Sequence, residues 1–323
     1  MTTSDSRSSD PAEDDGHVAE AIDGSLDEHI SNRTPTRPDT GPPAPGAQVV
    51  QQPGSGLGLI VSIVVAALVF VLAIAATGGQ PVAISTPLLQ TTNALYWTIG
   101  AVAVLIAGAG AQFADRAAAR AALSMSPATD DLESQTAWIV PAVATAAAVL
   151  LVATYHNATM IVIGPLIAFL GNAGALLARD LLDDVGDASH RTATTIHALV
   201  IHVVAFLALG AVYLNKLPTA LSAMLVAIIA GLLTLETLER GAANQAVRGV
   251  YALLAAGVMA QVMIALNWWQ THGWTGGAVL LVAFYLISGV LLARTQRTEL
   301  RTRDLVEFGA VSLVAFVILA ITA

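Results

Sequence analysis

The sequence predicts an all-α, polytopic membrane protein with about nine transmembrane helices after a disordered amino-terminal tail. Hydrophobic residues make up 55% of the chain and charged residues 11%, which is less than half the charge of an ordinary soluble domain. The mean hydropathy is +0.70. Long apolar runs recur at about the 20 residues that a helix needs to cross a hydrocarbon core of about 30 Å. The alternating pattern of membrane β-strands is absent.

Residues 1–56 differ in composition from the rest of the chain. They are polar and rich in proline and glycine, and they hold ten acidic residues against three arginines. Such a segment buries too little apolar area to offset its ordering entropy, so we predict a disordered, acidic, cytoplasmic tail. The net charge of −9 therefore resides mainly in the tail. Neither part shows the basic patch of a nucleic-acid-binding protein.

The transmembrane domain is predicted to occupy residues 57–323, because apolar runs of membrane-spanning length follow one another from Leu57 onward. The nine predicted spans are 57–77, 94–113, 137–155, 159–178, 194–215, 218–237, 248–267, 275–293 and 304–323.

The arginines predict how the chain is threaded. All of them fall in the tail or in alternate loops between spans, and the only basic residue of the other loops is Lys216. The positive-inside rule then places the N-terminus in the cytoplasm and the C-terminus outside. We expect the membrane to be the inner (plasma) membrane of the cell.

Spans four and eight share a sequence pattern. Residues 166–179 and 281–294 have Leu, Ala, Phe, Gly and a final Leu-Leu-Ala-Arg in common. One explanation is a parallel duplication of four-helix halves followed by a ninth helix. The other is chance, because low-complexity apolar helices match easily.

Three polar side chains are predicted to lie at one depth in the cytoplasmic half of the membrane, on three consecutive spans. They are Thr145, Asn172 and His202. Polar groups in lipid usually face the bundle interior, and Pro165 interrupts the helix that carries Asn172, as at transport sites. The alternative is that Asn172 and His202 satisfy each other, or a backbone carbonyl, as interhelical contacts.

The remaining ionisable residues predict no cofactor and no metal site. His197 and His202 are five residues apart, which does not place them on one helix face, and the chain has no cysteine. Glu236 is expected at the cytoplasmic boundary, paired with Arg240 and in reach of water. We find no catalytic motif, so an enzyme is the weaker expectation and no catalytic residue is assigned.

Three of the five tryptophans lie in one stretch, with a histidine among them. The residues are Trp268, Trp269, His272 and Trp274. Because the stretch falls in an arginine-free loop, we interpret it as part of the outer aromatic belt, together with Tyr96, Trp97, Tyr155 and Tyr213. The alternative is a recognition surface outside the membrane.

The stretch from Ala255 to Gly289 resembles an uncharacterised family of bacterial multi-pass membrane proteins. The similar residues are Leu266, Asn267, Trp268, Trp269, Gly276, Gly277, Phe284, Tyr285 and Leu286. The resemblance covers the last third of the chain and implies a fold class but no activity.

Three functions are compatible with these patterns. The first is a non-enzymatic membrane component, either a subunit of a complex or a sensor, with membrane-protein partners bound through the tail or through small-residue helix faces such as residues 107–111. The second is a carrier for a small neutral or apolar solute. The third, ranked last, is a lipid-acting membrane enzyme.

Overall fold

The computed structural model describes residues 53–77, 94–125, 135–183, 187–239, 244–269, 273–296 and 302–322. The predicted disordered tail therefore lies outside the described residues, except for its last four positions, which begin the first helix. All described residues belong to one compact unit, Val50–Ala323.

The all-α prediction is confirmed: the described residues form nine helices and no strand. We number them α1 Pro53–Thr77, α2 Ala94–Met125, α3 Ile139–Tyr155, α4 Met160–Asp183, α5 Asp187–Leu214, α6 Thr219–Leu238, α7 Gln245–Trp268, α8 Thr275–Gln296 and α9 Thr302–Thr322. Seven of these helices are long and apolar enough to cross a membrane, and two shorter apolar helices, Ile139–Tyr155 and Val306–Ile321, accompany them. The protein is thus a multi-pass membrane protein.

The short helix α3 lies at the centre of the bundle. Thirteen of its 17 residues are buried, and it contributes to both of the large hydrophobic clusters. Its sequence, IVPAVATAAAVLLVATY, is apolar on every face, as a fully surrounded helix requires. The many alanines leave room for neighbouring helices to approach closely.

Tight turns fix the antiparallel neighbours of this bundle. His156 ends α3 with φ 45°, and Lys216 has φ 46° between α5 and α6.

At the start of α7, the side chain of Asn244 accepts a hydrogen bond from the N–H of Val247 at 2.9 Å. That bond satisfies one of the free amides of a helix amino end.

Small residues mark the closest helix crossings. A Cβ added to Gly277 of α8 would lie 2.7 Å from the Cα of Gly210 on α5, so these two backbones touch. On α2, Ala107 and Ala111 are fully buried, and an added Cβ at Gly110 would meet Val61 of α1. Much of the small-residue stretch 107–111 therefore packs inside this chain.

The bundle has two chemically different ends. The basic end comprises the carboxyl ends of α2, α4, α6 and α8 and the amino ends of α3, α5, α7 and α9, and the described arginines lie toward it. The opposite, aromatic end carries Tyr96, Tyr213, Trp268, Trp274 and Lys216. The site described next lies at the basic end.

Candidate functional site

A buried ion-pair cluster at the basic end joins the last turns of α4 and α6, the segment before α3, and Asp115 of α2. The guanidinium of Arg179, in the last turns of α4, lies 2.6 Å from Oε1 and 2.7 Å from Oε2 of Glu236 on α6. The same group lies 3.2 Å from Glu239 and 3.7 Å from Asp115 of α2. Arg179 is 4% exposed and Glu236 is 2% exposed. One guanidinium thus pairs with three carboxylates, one from α2 and two from the carboxyl end of α6.

The segment before α3 completes this cluster. The hydroxyl of Thr136 is in hydrogen-bond contact with the carboxylates of both Glu236 and Glu239, and it accepts a bond from Arg179 at 3.1 Å. The backbone amides of Gln135 and Thr136 donate to Oε1 of Glu239 at 2.8 and 3.2 Å. A carboxylate beside the amino end of α3 is also favoured by the helix dipole.

This arrangement corrects the expectation that Glu236 reaches water. The carboxylate is enclosed by Arg179 and Thr136, because α4 and α6 both end at this level and their last turns converge on the start of α3. Arg240, the partner expected from i, i+4 spacing, lies outside the described residues. Helical spacing identifies neighbours on the same helix and does not reveal partners on others.

A cavity of about 440 Å³ opens beside the cluster, among α5, α8 and α9. That volume is within the usual range of small-molecule pockets. The lining residues are mainly apolar, with hydroxyl, imidazole and amide groups between them: Leu182, Thr194, His197, Ala198, Ile201, His202, Thr237, Tyr285, Ser288, Gly289, Leu292, Gln296 and Phe308. Tyr285 and Gln296 are eleven residues apart on α8, so the pocket extends about 16 Å along that helix.

His197 and His202 both line the pocket but have different partners. The Nε2 atom of His197 lies 3.6 Å from Oε1 of Glu236, so this ring stands between the pocket and the ion-pair cluster. The Nδ1 atom of His202 lies 2.7 Å from the carbonyl oxygen of Ala198 in its own helix. In the part of the chain that the structure describes, no group of three metal-ligating side chains is arranged to hold a metal ion.

The structure brings together two of the three residues of the predicted polar plane. Asn172 is fully buried, and its Nδ2 donates to Oγ1 of Thr145 at 3.0 Å and to the carbonyl of Ala168 at 2.7 Å. His202 instead faces the pocket, where its ring centroid lies 5.7 Å from that of Tyr285. A transport role for the plane stays a prediction.

The tryptophan stretch divides into separate environments. Trp268 is 85% exposed and Trp269 is 59% exposed. Trp274 is half-buried, and its ring lies 5.4 Å from that of Phe206. His272 lies outside the described residues. The two exposed rings fit an aromatic belt in lipid, whereas Trp274 packs between helices.

Two other residues of the predicted belt are buried instead. Tyr96 is 5% exposed, Tyr213 is 1% exposed, and the hydroxyl of Tyr96 donates to the carbonyl of Val149 at 2.8 Å. Tyr96 thus connects α2 to α3, and Tyr213 of α5 packs against Gly276 of α8.

The sequence reasoning missed the link between Arg179 and Glu236 and did not select Ser288 as a pocket residue. A usable signal was present for the ion pair: both residues stand within a few positions of the ends of predicted spans on the arginine-bearing side. Two opposite charges at one depth are candidate partners. For Ser288, a lone serine in an apolar span offers no such signal.

The comparisons with known proteins agree with the resemblance seen in the sequence. No curated protein and no solved structure matches the chain significantly. The profile of one family, described as "Protein of unknown function (DUF5656)", matches residues 81–322. This match extends well beyond the carboxyl-terminal third, over eight of the nine helices and both the ion-pair cluster and the pocket. The chain therefore belongs to the DUF5656 family of proteins of unknown function.

Proposed function

We propose that this protein is a non-enzymatic membrane sensor that binds a small, neutral, mainly apolar molecule in the pocket among α5, α8 and α9. The pocket is the single observation that carries the proposal. Its volume is about 440 Å³, and none of the described residues that line it is Asp, Glu, Lys or Arg. An apolar site with a few hydrogen-bonding groups is the usual form of a small-molecule site.

The site favours binding over chemistry. The imidazole of His202 is oriented by a backbone carbonyl, and the hydroxyl of Ser288 bonds to the carbonyl of Tyr285 in its own helix. Neither forms the nucleophile–base pair that hydrolytic enzymes use. The carboxylate beside the pocket residue His197, that of Glu236, is held by Arg179. A lipid-acting enzyme is accordingly the weaker proposal.

A carrier is the second candidate, because it would need the same pocket. Against it stands the packing toward the aromatic end, where Gly210 and Gly277 bring α5 and α8 into backbone contact. The buried pair of Thr145 and Asn172 likewise leaves no cavity around Asn172, which is 0% exposed. Transport would require these contacts to open, whereas sensing would not.

We further propose that the basic end faces the cytoplasm, with the C-terminus outside, in the plasma membrane of a bacterial cell. The support is the positive-inside rule applied to the arginine-bearing helix ends. The proposed partners are the bilayer and a membrane protein that binds the acidic tail; nucleic acid is not among them. A reporter enzyme active only outside the cytoplasm, fused after residue 323, should be active, and an inactive fusion of a stably inserted protein would overturn this orientation.

Binding is tested with a photoactivatable twelve-carbon alcohol that carries a diazirine, added to the protein in lipid nanodiscs. The expected result is saturable labelling of residues 285–296, mapped by peptide mass spectrometry, and its loss on Ala198→Phe. Ala198 is an exposed residue of α5 that lines the pocket, so a larger side chain fills the cavity with little disturbance of the core.

Two matched variants serve as controls. Ala101→Phe fills a second cavity of about 400 Å³, which is lined almost wholly by apolar residues of α2, α3 and α6, and Ala75→Phe adds the same ring on the exposed face of α1. Labelling of 285–296 should persist in both. Labelling that does not saturate, or that Ala198→Phe leaves intact, would contradict the proposed function.

A further inference from the structure

Three polar side chains of the pocket wall donate hydrogen bonds to backbone carbonyls of their own helices. The hydroxyl of Thr237 donates to the carbonyl of Leu233 at 2.8 Å. The hydroxyl of Ser288 lies 3.4 Å from the carbonyl of Tyr285, and Nδ1 of His202 lies 2.7 Å from that of Ala198. With their donors engaged, these groups have only acceptor lone pairs left for a molecule in the pocket.

His202 is the most specific of the three. A carbonyl oxygen can only accept, so the Nδ1 atom carries the hydrogen, and in the neutral ring the Nε2 atom is then an acceptor. That Nε2 atom is buried and has no hydrogen-bond partner within the described part of the chain. A buried acceptor without a partner is unfavourable. A bound molecule with a donor group would supply what the protein lacks.

The surroundings of His202 select against a charged molecule. Its ring lies beside the rings of Phe284 and Tyr285, at centroid distances of 5.8 and 5.7 Å, and Tyr285 lies 5.7 Å from Phe308. Among the residues that the structure describes, no ionised carboxylate, ammonium or guanidinium group lines the cavity. A charged head group would lose its hydration here without gaining an opposite charge. A neutral donor has no such penalty.

We propose that the molecule bound in this pocket is a neutral apolar alcohol, whose hydroxyl donates a hydrogen bond to Nε2 of His202. Its hydrocarbon part packs on Ile201, Leu292 and Phe308, which line the same cavity. This inference rests on the proposed function, since it names the class of molecule that the pocket takes.

The test is competition against the photoactivatable alcohol, with four unlabelled molecules that share a dodecyl chain. These are 1-dodecanol, its methyl ether, dodecanoate and dodecylamine. The methyl ether keeps the oxygen but lacks the donor hydrogen. One buried hydrogen bond corresponds to a difference of about tenfold in affinity, so 1-dodecanol should compete at about tenfold lower concentration than the ether, and the two charged molecules should be weaker than 1-dodecanol.

Replacing the imidazole tests which atom accepts the bond. His202→Phe keeps an aromatic ring but has no acceptor, so 1-dodecanol and its methyl ether should compete equally. His202→Gln restores an acceptor and should recover part of the preference. Independently of either variant's folding, the ¹⁵N resonance of His202 Nε2 in the wild-type protein should shift when 1-dodecanol is added and not when the ether is added.

The outcomes separate this inference from the proposed function. Saturable labelling with equal competition by alcohol and ether would overturn the alcohol assignment and leave the binding site in place. An unchanged tenfold preference in His202→Phe would overturn the role of Nε2. Tighter binding of dodecanoate or dodecylamine would show a charged ligand and would also overturn the proposal. Labelling that never saturates would overturn both.

Discussion

The ion-pair cluster and the pocket lie side by side at the basic end, and they differ in whether their buried polar groups have partners. In the cluster, the carboxylates of Asp115, Glu236 and Glu239 all have a partner in Arg179. In the pocket wall, Nε2 of His202 has none among the described residues. A buried polar network whose members satisfy one another stabilises a fold, whereas a buried acceptor left open is suited to a ligand.

His197 is the point of contact between the two regions. Its ring lines the pocket and its Nε2 lies 3.6 Å from Glu236. The cluster in turn joins α2, α4, α6 and the segment before α3. A molecule that displaces the ring of His197 would therefore act on a contact shared by four elements. The proposed sensor would in this way have a route from its pocket to the rest of the bundle.

The largest expected effect comes from removing the cation of the cluster. Arg179→Met leaves three carboxylates close together without their shared partner, and breaking a buried ion pair from one side costs about 3–5 kcal/mol. We expect a large fall in the free energy of unfolding, measured by denaturant titration in detergent micelles. Arg116→Met, at an exposed position of the same helical bundle, should change that free energy by less than about 0.5 kcal/mol. Equal effects of the two substitutions would refute a structural role for the cluster.

The next effect is expected at the hydroxyl that bridges two carboxylates. Thr136→Val keeps the side-chain shape but removes the group that contacts Glu236 and Glu239. The expected destabilisation is about 1–3 kcal/mol, since a hydrogen bond to a charged group is lost in a buried site, although Arg179 still contacts both carboxylates. Thr98→Val is the matched control, because that exposed hydroxyl bonds to the carbonyl of Ala94 in its own helix and to no other described residue. Thermal unfolding that shifts no more for Thr136→Val than for the control would count against the network.

A smaller effect is expected at the polar pair in the middle of the bundle. Asn172 and Thr145 share one interhelical hydrogen bond, and such bonds between membrane helices are worth about 0.6 kcal/mol on average. A double-mutant cycle of Asn172→Leu and Thr145→Val should give a coupling free energy of that order. A coupling free energy of several kcal/mol would be as large as that expected for the ion-pair cluster. It would contradict a purely local interhelical contact and favour a functional role for the predicted plane.

The smallest effect on folding is expected in the pocket. His202→Phe removes an acceptor that has no partner in the described structure and a side-chain hydrogen bond to a carbonyl of its own helix, which adds little to helix stability. The free energy of unfolding should therefore change by less than about 0.5 kcal/mol. The variant should instead bind 1-dodecanol about tenfold more weakly, and so gain less of the stabilisation that a ligand confers on the folded state by mass action. Melting temperatures measure this: at one concentration of 1-dodecanol, the melting temperature of the wild type should rise more than that of the variant. A strong destabilisation of the His202→Phe protein would instead show that the ring of His202 stabilises the fold.

The apolar composition and the length of each run sufficed to predict the helices, because the bilayer imposes both. Helix α6, Thr219–Leu238, begins and ends within one residue of the predicted span 218–237. The prediction was poorest where a helix continues beyond the apolar run. Helix α2 extends to Met125, twelve residues past the predicted end, because its alanines and arginines favour a helix outside lipid as well.

The candidate site was only partly predictable, because it depends on which helices are neighbours. Depth alone placed Thr145, Asn172 and His202 together. The rotation of each helix about its axis decides the rest: His202 on α5 faces the pocket, while Asn172 on α4 faces Thr145 of α3. Because the sequence does not reveal which way a helix is turned, the contact of Arg179 with Glu236 was not predicted either. A span's apolar pattern is nearly uniform around its circumference, so it specifies depth far better than it specifies direction.

The most direct test is a density map of the protein in lipid nanodiscs with 1-dodecanol present, with a rigid binding fragment attached to aid alignment. The pocket among α5, α8 and α9 is predicted to hold one elongated molecule, its oxygen within hydrogen-bond distance of Nε2 of His202 and its chain along Leu292 and Phe308. The Ala198→Phe protein, prepared in the same way, should show the new ring in that volume. A wild-type map in which the cavity is empty, or is filled by its own side chains, would contradict the proposal that this pocket is a binding site.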